Sequence, residues 1–123
     1  MNDMYRDHLL DHYENPRQQG SLETPSGTHE DCNPLCGDCL RIDVRVSDDG
    51  KTLADAVFSG QGCIVSQAAA SMLLEDVVGK DLAVVRNLSP EYLLGLVGAP
   101  LTPARVKCAL LSLKVLKSAL HQV

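Results

Sequence analysis

The chain has 123 residues, with 11 lysines and arginines against 16 aspartates and glutamates, which gives a net charge of −5. This length suits one domain, which we expect to span residues 1–123. A negative chain repels a phosphate backbone, and one phenylalanine, three tyrosines and no tryptophan offer few platforms for base stacking. Nucleic acid is therefore not expected as a partner.

The expected cellular location is inferred from two kinds of segment that the sequence does not contain. No apolar run approaches the roughly 20 residues that cross a bilayer. The opening MNDMYRDHLLDHY has neither the basic region nor the apolar stretch of a signal peptide. We therefore expect no membrane association and a cytoplasmic location, where thiols are normally kept reduced. Five cysteines leave one unpaired in any disulfide scheme, so metal binding or sulfur chemistry is the favoured interpretation.

The first part of the chain predicts a helix and then an irregular stretch. Tyr5, Leu9 and Tyr13 lie four residues apart, so they share one face of a helix over residues 3–13. Residues 17–32 are polar and rich in turn formers, which is typical of a loop or a frayed edge strand. We expect the helix to dock a partner rather than build the core, with packing on the domain as the alternative.

A β-hairpin comes next. Apolar residues alternate with charged ones over residues 40–46, the pattern of a half-buried strand. Turn formers occupy residues 47–50, and residues 52–58 read as the returning strand. The sequence therefore predicts an antiparallel pair.

Helices fill the remainder of the chain. One is predicted over residues 65–78, and one or two short helices over residues 81–99, with Ser89 as an N-cap. The longest runs from Pro103 to about His121 and carries an apolar stripe. The fold class is α+β: a small antiparallel sheet of about three strands with helices packed on one face, an N-terminal helix and a long C-terminal helix.

Two cysteines lie at nearly equal distances from the hairpin turn. With Asp49 as the turn, Cys36 precedes it by 13 residues and Cys63 follows it by 14. Antiparallel strands place such residues beside each other, so both cysteines should emerge from the open end of the hairpin. Cys63 also lies just ahead of a predicted helix, whose N-terminal dipole favours a thiolate.

A carboxylate accompanies this pair. Asp38 follows Cys36 by two residues and could reach the same centre; capping the turn is the alternative. Three cysteines and one aspartate would complete a tetrahedral zinc site, and an iron–sulfur cluster would accept the same thiolates. Taken alone, the position of Cys108 on the apolar stripe of the last helix favours a role in core packing. The Cys36–Cys39 segment matches a redox C-x-x-C, but that motif usually opens a helix and here opens a strand.

Three motifs resemble a known family. Residues 33–38 (NPLCGD), 60–63 (GQGC) and 103–110 (PARVKCAL) are similar to the three cysteine motifs of the U-type iron–sulfur assembly scaffolds, which include IscU, SufU and the NifU N-terminal domain. Residues 5–20 resemble the family's first helix and its exit. The resemblance covers nearly the whole chain in the right order.

The resemblance implies a site and partners. The family's site positions correspond to Cys36, Asp38, Cys63 and Cys108. They would hold a [2Fe–2S] cluster or Zn²⁺, and the three cysteines are the candidates to accept sulfur from a pyridoxal-phosphate cysteine desulfurase. This desulfurase is the partner that we expect to dock on the N-terminal helix. An iron donor and apo iron–sulfur client proteins complete the expected partners. Cys32 and Cys39 have no counterpart in the family pattern and are not expected to bind metal.

The chain mixes features of two branches of the family. Lys107 precedes Cys108 as in SufU-like chains, whereas the spacing from Cys63 to Cys108 lacks their insertion and resembles IscU. Residues 101–105 differ from the Leu-Pro-Pro-Val-Lys stretch of IscU-like chains, which argues against a dedicated Hsp70-type chaperone partner. We expect Lys107 to pair with Asp38 in the absence of metal and to modulate how readily the site releases its cargo.

Two functions follow from this interpretation. The leading one is a scaffold that builds and transfers an iron–sulfur cluster and is not itself an enzyme. The alternative is a zinc-dependent sulfurtransferase of the SufU kind, which takes persulfide from the desulfurase. A purely structural zinc module fits the ligand count but not the glycine-flanked cysteines.

Overall fold

The computed structural model describes residues 3–34 and 37–123. Within this part of the chain the elements are α1 (Asp3–Glu14), β1 (Gly27–Asn33), β2 (Asp38–Val46), β3 (Leu53–Gln61), α2 (Ile64–Val77), α3 (Leu82–Arg86), α4 (Pro90–Val97) and α5 (Pro103–Leu120). The predicted α+β class, with an N-terminal helix and a long C-terminal helix, is confirmed.

The sheet is antiparallel and has the order β1-β2-β3. Leu40, Ile42 and Val44 alternate along β2 and are fully buried, so one face of the sheet carries the core. Helix α5 packs closely on this face: a Cβ atom at Gly27 would lie 2.2 Å from the backbone oxygen of Ala119. The edge strand β1 begins within residues 17–32, for which the sequence predicted a loop or a frayed edge strand.

The pairing of β2 with β3 fixes which residues meet at the open end of the hairpin. Cys39 pairs with Gln61, and an irregularity lies between Arg45 and Val46. The Cys39–Gln61 register is symmetric about residue 50, one position after the predicted centre at Asp49. The predicted pairing of Cys36 lies outside the described residues.

Helix α1 is part of the packed structure. Leu9 is 6% exposed and belongs to the core. His12 is 4% exposed, and its Nδ1 atom lies 2.8 Å from the Ser71 hydroxyl oxygen on α2. The prediction that α1 does not build the core is therefore wrong, because its inner face is anchored to α2. Tyr13 remains 42% exposed, and the side chain of Tyr5 lies outside the described part.

Side-chain caps start the last two helices where the sequence placed them. The Ser89 hydroxyl accepts a hydrogen bond from the Tyr92 backbone N–H at 3.2 Å, which confirms Ser89 as the N-cap of α4. The Thr102 hydroxyl accepts one from the Arg105 backbone N–H in the same way at α5. Among the described residues, none of the helices has the length and apolar character to cross a membrane.

A disulfide joins Cys32 of β1 to Cys39 of β2. These residues are direct partners in the β1–β2 register, which brings their Cα atoms to 4.0 Å. The expectation of reduced thiols throughout is wrong for this pair. It depended on the odd number of cysteines and on the expected compartment, and it overlooked cross-strand pairing with β1.

Candidate metal centre

Three potential ligands meet at one end of the sheet. A carboxylate oxygen of Asp38 and the Sγ atoms of Cys63 and Cys108 all lie within 4.8 Å of one another. They come from the start of β2, the residue before α2 and the second turn of α5. Three of the four ligands predicted from the family motifs thus converge, although they are far apart in sequence. The fourth, Cys36, lies outside the described residues.

Asp38 is held in place by the chain around Cys63. Its carboxylate is fully buried, and its Oδ1 atom accepts a hydrogen bond from the Cys63 backbone N–H at 2.7 Å. The Cys63 Sγ atom lies 3.6 Å from Oδ2. A buried carboxylate is costly unless its oxygens are hydrogen-bonded, so these contacts explain why Asp38 can point inward. It faces the two thiols, which disfavours a role in merely capping the turn.

Gly62 provides the room for this carboxylate. A Cβ atom at position 62 would lie 2.4 Å from Asp38 Oδ1 and 2.6 Å from the Ser66 hydroxyl oxygen. Real Cβ atoms do not approach oxygen so closely, so any larger residue would displace the site. The glycine before Cys63 is therefore required by a close approach of Asp38.

Cys63 is the N-cap residue of α2, and its side chain makes no capping hydrogen bond. The Ser66 hydroxyl donates to the Cys63 carbonyl oxygen at 3.1 Å, which fixes the first turn. The half-buried Cys63 Sγ atom is directed instead at Asp38 Oδ2, where it is placed to act as a ligand beside the carboxylate.

Cys108 faces the core and the site at once. Its side chain is 2% exposed within the apolar stripe of α5, as core packing requires. Its sulfur also belongs to the three-ligand group. Periodicity alone predicted the first of these properties, and only the family motif indicated the second.

The cation beside the two thiols is Arg105. The charge of the Cys63 thiolate, together with that of Cys108, raises the pKa of the Arg105 guanidinium. Lys107, which the sequence indicated instead, is exposed, and the ion pairs of the described residues include none between it and Asp38. Helical geometry explains the difference: Arg105 lies three residues before Cys108 and shares its face, whereas Lys107 points elsewhere.

An open cavity of about 640 Å³ leads to the site. Leu9, Leu10 and Tyr13 of α1 form one wall, and Cys63 and Arg105 lie on the other. The lining is mainly apolar, and the exposed ring of Tyr13 stands beside it. Cys63 can therefore be reached from outside.

The residues present fit a metal ion or an iron–sulfur cluster. Zinc bonds of about 2.0–2.3 Å place tetrahedral ligands roughly 3.3–3.8 Å apart, so small side-chain shifts would close a group spread within 4.8 Å. Thiolates suit both zinc and iron–sulfur clusters, and a carboxylate is an accepted zinc ligand. A buried carboxylate between two sulfurs is a suitable donor set for either.

Comparison with known proteins agrees with the motifs. The sequence model of the family described as NifU-like N terminal domain matches residues 4–123. The zinc-dependent sulfurtransferase SufU of Bacillus subtilis is 37% identical, over 93% of this chain and 87% of its own length. The iron–sulfur cluster assembly scaffold protein IscU of Aquifex aeolicus is 34% identical, over 94% and 73%.

A solved structure shares the fold. FiSufU, a SUF-system protein of Fervidobacterium islandicum AW-1, superposes with a TM-score of 0.77 and 24% identity, covering 98% of this chain and 99% of its own. The likeness extends over all the elements that carry the three ligands.

Proposed function

Because this chain belongs to the family of NifU-like N-terminal domains, we propose that it is a scaffold on which iron–sulfur clusters are assembled. The observation that carries the proposal is the convergence of Asp38, Cys63 and Cys108 at an accessible end of the sheet. A scaffold of this kind binds and passes on its cargo and is not itself an enzyme. The whole chain, residues 1–123, would form this one domain.

Sulfur arrives as a persulfide carried by a cysteine desulfurase. Of the two described thiols, Cys63 is the accessible one, since Cys108 is 2% exposed. The Cys63 thiolate attacks the outer sulfur of the donor persulfide; a new S–S bond forms, the donor's S–S bond breaks, and the donor cysteine leaves as a thiolate. Arg105 lies beside this sulfur, and its positive charge attracts the negative charge of the attacking thiolate.

The cargo is a [2Fe–2S] cluster, for which other proteins supply iron and electrons. Asp38, Cys63 and Cys108 would hold it, with Cys36 as the fourth ligand by family resemblance. A carboxylate is a harder ligand than a thiolate and holds cluster iron less firmly, so Asp38 provides an exchangeable corner. Such a corner suits a protein that must hand its cluster to apo client proteins in the cytoplasm.

Anaerobic reconstitution tests the proposal. The chain is incubated with a cysteine desulfurase, cysteine, ferrous iron and a reductant, then isolated and analysed for iron, sulfide and visible absorption. We expect a coloured species with equal iron and sulfide that activates an apo ferredoxin. The Cys63→Ser and Cys108→Ser variants should fail to hold it, whereas Cys32→Ser/Cys39→Ser should retain it. Cluster retention by Cys108→Ser would contradict the proposed ligand set.

A zinc-dependent sulfurtransferase is the second candidate. The likeness to SufU of Bacillus subtilis favours it, as does the suitability of one carboxylate and the thiolates for zinc. Zinc would keep the thiols deprotonated until one of them takes the sulfur. Protein that contains stoichiometric zinc, accelerates the desulfurase and never forms a transferable cluster would support this function over the scaffold.

A further inference from the structure

The Cys32–Cys39 disulfide lies beside the candidate centre but is not part of it. Along β2 the side chains of Asp38 and Leu40 are buried, so the side chain of Cys39 between them points to the opposite face of the sheet. Cys32 is exposed and Cys39 is half-buried. A reductant in solution can therefore reach the sulfur of Cys32 without entering the core.

The backbone of Cys39 connects the disulfide to the site. Cys39 follows Asp38 directly and pairs with Gln61 on β3. A Cβ atom at Gly60 would lie 2.1 Å from the Cys39 carbonyl oxygen, so the two strands are in close contact there. The disulfide thus fixes the start of β2, which positions Asp38. This part of β2 also contacts residues 60–62, the glycine-rich segment that leads to Cys63.

We propose that Cys32–Cys39 is a thiol–disulfide exchange site for a dithiol reductant of the thioredoxin class, and that its state is coupled to metal binding at Asp38, Cys63 and Cys108. A reductant thiolate attacks the exposed sulfur of Cys32; the S–S bond breaks, and Cys39 leaves and takes a proton. The second reductant thiol then attacks the mixed disulfide. The reductant ends as a disulfide and the chain as a dithiol, after transfer of two electrons and two protons.

The direction of the coupling follows from loop entropy. The disulfide closes the connection between β1 and β2, which consists of residues 34–37 and ends directly before the Asp38 ligand. A cross-link across a short loop limits the conformations that its end can adopt. The oxidised form therefore holds Asp38 ready for metal, and the reduced form binds metal more weakly. Coupling is reciprocal, so bound metal makes the disulfide harder to reduce by the same factor.

The test measures both sides of this cycle in the full chain. Zinc affinity is determined by competition with a chromophoric chelator, for the oxidised protein and for protein reduced with a phosphine. The reduction potential of Cys32–Cys39 is measured in thiol–disulfide buffers, with and without saturating zinc, by mass spectrometry of alkylated cysteines. We expect about tenfold weaker zinc binding after reduction. Saturating zinc should lower the potential by about 30 mV, the equivalent of that factor.

The Cys32→Ser/Cys39→Ser variant is the matched control. It should bind one zinc with the affinity of the reduced parent and should not respond to reductant. If the disulfide were purely structural, its removal would lower the melting temperature but leave the zinc affinity unchanged. Zinc would then also leave the reduction potential of the parent disulfide unchanged, and these results would overturn the inference. A second zinc ion bound by the reduced pair would also overturn it.

This inference rests on the proposed function, and the experiment separates the two. Absence of zinc binding in both redox forms would contradict the proposed metal centre itself. Equal binding in both forms would leave that centre intact and refute only the coupling.

Discussion

Asp38 and Cys63 lie 25 residues apart in sequence, and the Asp38 Oδ1 atom accepts a hydrogen bond from the Cys63 backbone N–H at 2.7 Å. The contact ties the start of β2 to the start of α2. One carboxylate therefore positions the neighbouring thiol through the backbone and offers itself as a ligand. These two roles can be separated by mutation.

Substitution of Asp38 should affect release more than assembly. We expect Asp38→Ala to form a cluster that transfers more slowly to an acceptor apo-protein, because the exchangeable carboxylate corner is lost. Asp38→Asn keeps a hydrogen-bond acceptor for Cys63 but removes the charge, so it should be the more stable of the two variants by about 1–3 kcal/mol. Transfer rates at equal cluster loading, together with urea unfolding, provide the measurements. Identical transfer by the parent and Asp38→Ala would exclude Asp38 from the release step.

Gly62→Ala should disrupt the centre through a single methyl group. The new Cβ atom would lie 2.4 Å from Asp38 Oδ1, so the carboxylate must move and zinc affinity should fall by about tenfold or more. Gly95→Ala on α4 is the matched control, since a Cβ atom there meets nothing within 4 Å. Competition titrations of both variants decide the matter. Equal zinc affinities would mean that Gly62 provides no necessary clearance.

Arg105→Gln should make the site thiols less reactive, and Lys107→Gln should not. The guanidinium lies beside Cys63 and Cys108 and its charge interacts with the charge of these sulfurs, whereas Lys107 is exposed on another side of α5. We expect alkylation of the metal-free protein by a neutral reagent such as iodoacetamide, at pH 7, to slow several-fold, by about 3–10 times, in Arg105→Gln only. Slowing in Lys107→Gln instead would restore the lysine as the modulating cation.

The stability of the packing between α1 and α2 should depend on pH through His12. Burial lowers the pKa of His12 below its ordinary value of 6.5, so the folded protein favours the neutral ring. The unfolded chain binds a proton at His12 more readily than the folded protein does. The contribution of the buried His12 ring to stability is therefore present above pH 6.5 and is lost as the pH falls below 6.5. The melting-temperature difference between the parent and His12→Asn should shrink from pH 7.5 to pH 5. A constant difference would contradict the buried neutral ring.

Much of the fold was accessible from local patterns. The alternation along residues 40–46 predicted β2, and Ser89 before Pro90 predicted the cap of α4. The inward packing of α1 was only the alternative prediction, because its stabilising contact joins His12 to Ser71 across 59 residues of sequence. Periodicity identifies an apolar face but not the surface that covers it.

The site was predicted only in part, because some of its contacts also join residues that are distant in sequence. Family motifs brought Asp38, Cys63 and Cys108 together, and the structure places them within reach of one another. Lys107 was singled out because it directly precedes Cys108; Arg105, which lies beside the thiols, is three residues from Cys108 and shares its face of the helix. The disulfide was missed because it requires β1 to pair in register with β2, and polar residues 17–32 gave no period that fixes a register.

Cobalt substitution tests the central claim most directly. Cobalt(II) occupies zinc-type sites, and its thiolate charge-transfer absorption grows with the number of bound sulfurs. In reduced protein the account predicts one tetrahedral cobalt, the same absorption in Cys32→Ser/Cys39→Ser, and a weakened or lost band in Cys63→Ser and in Cys108→Ser. An unchanged spectrum in Cys63→Ser or Cys108→Ser, or loss of the band in Cys32→Ser/Cys39→Ser, would contradict a centre built from Asp38, Cys63 and Cys108.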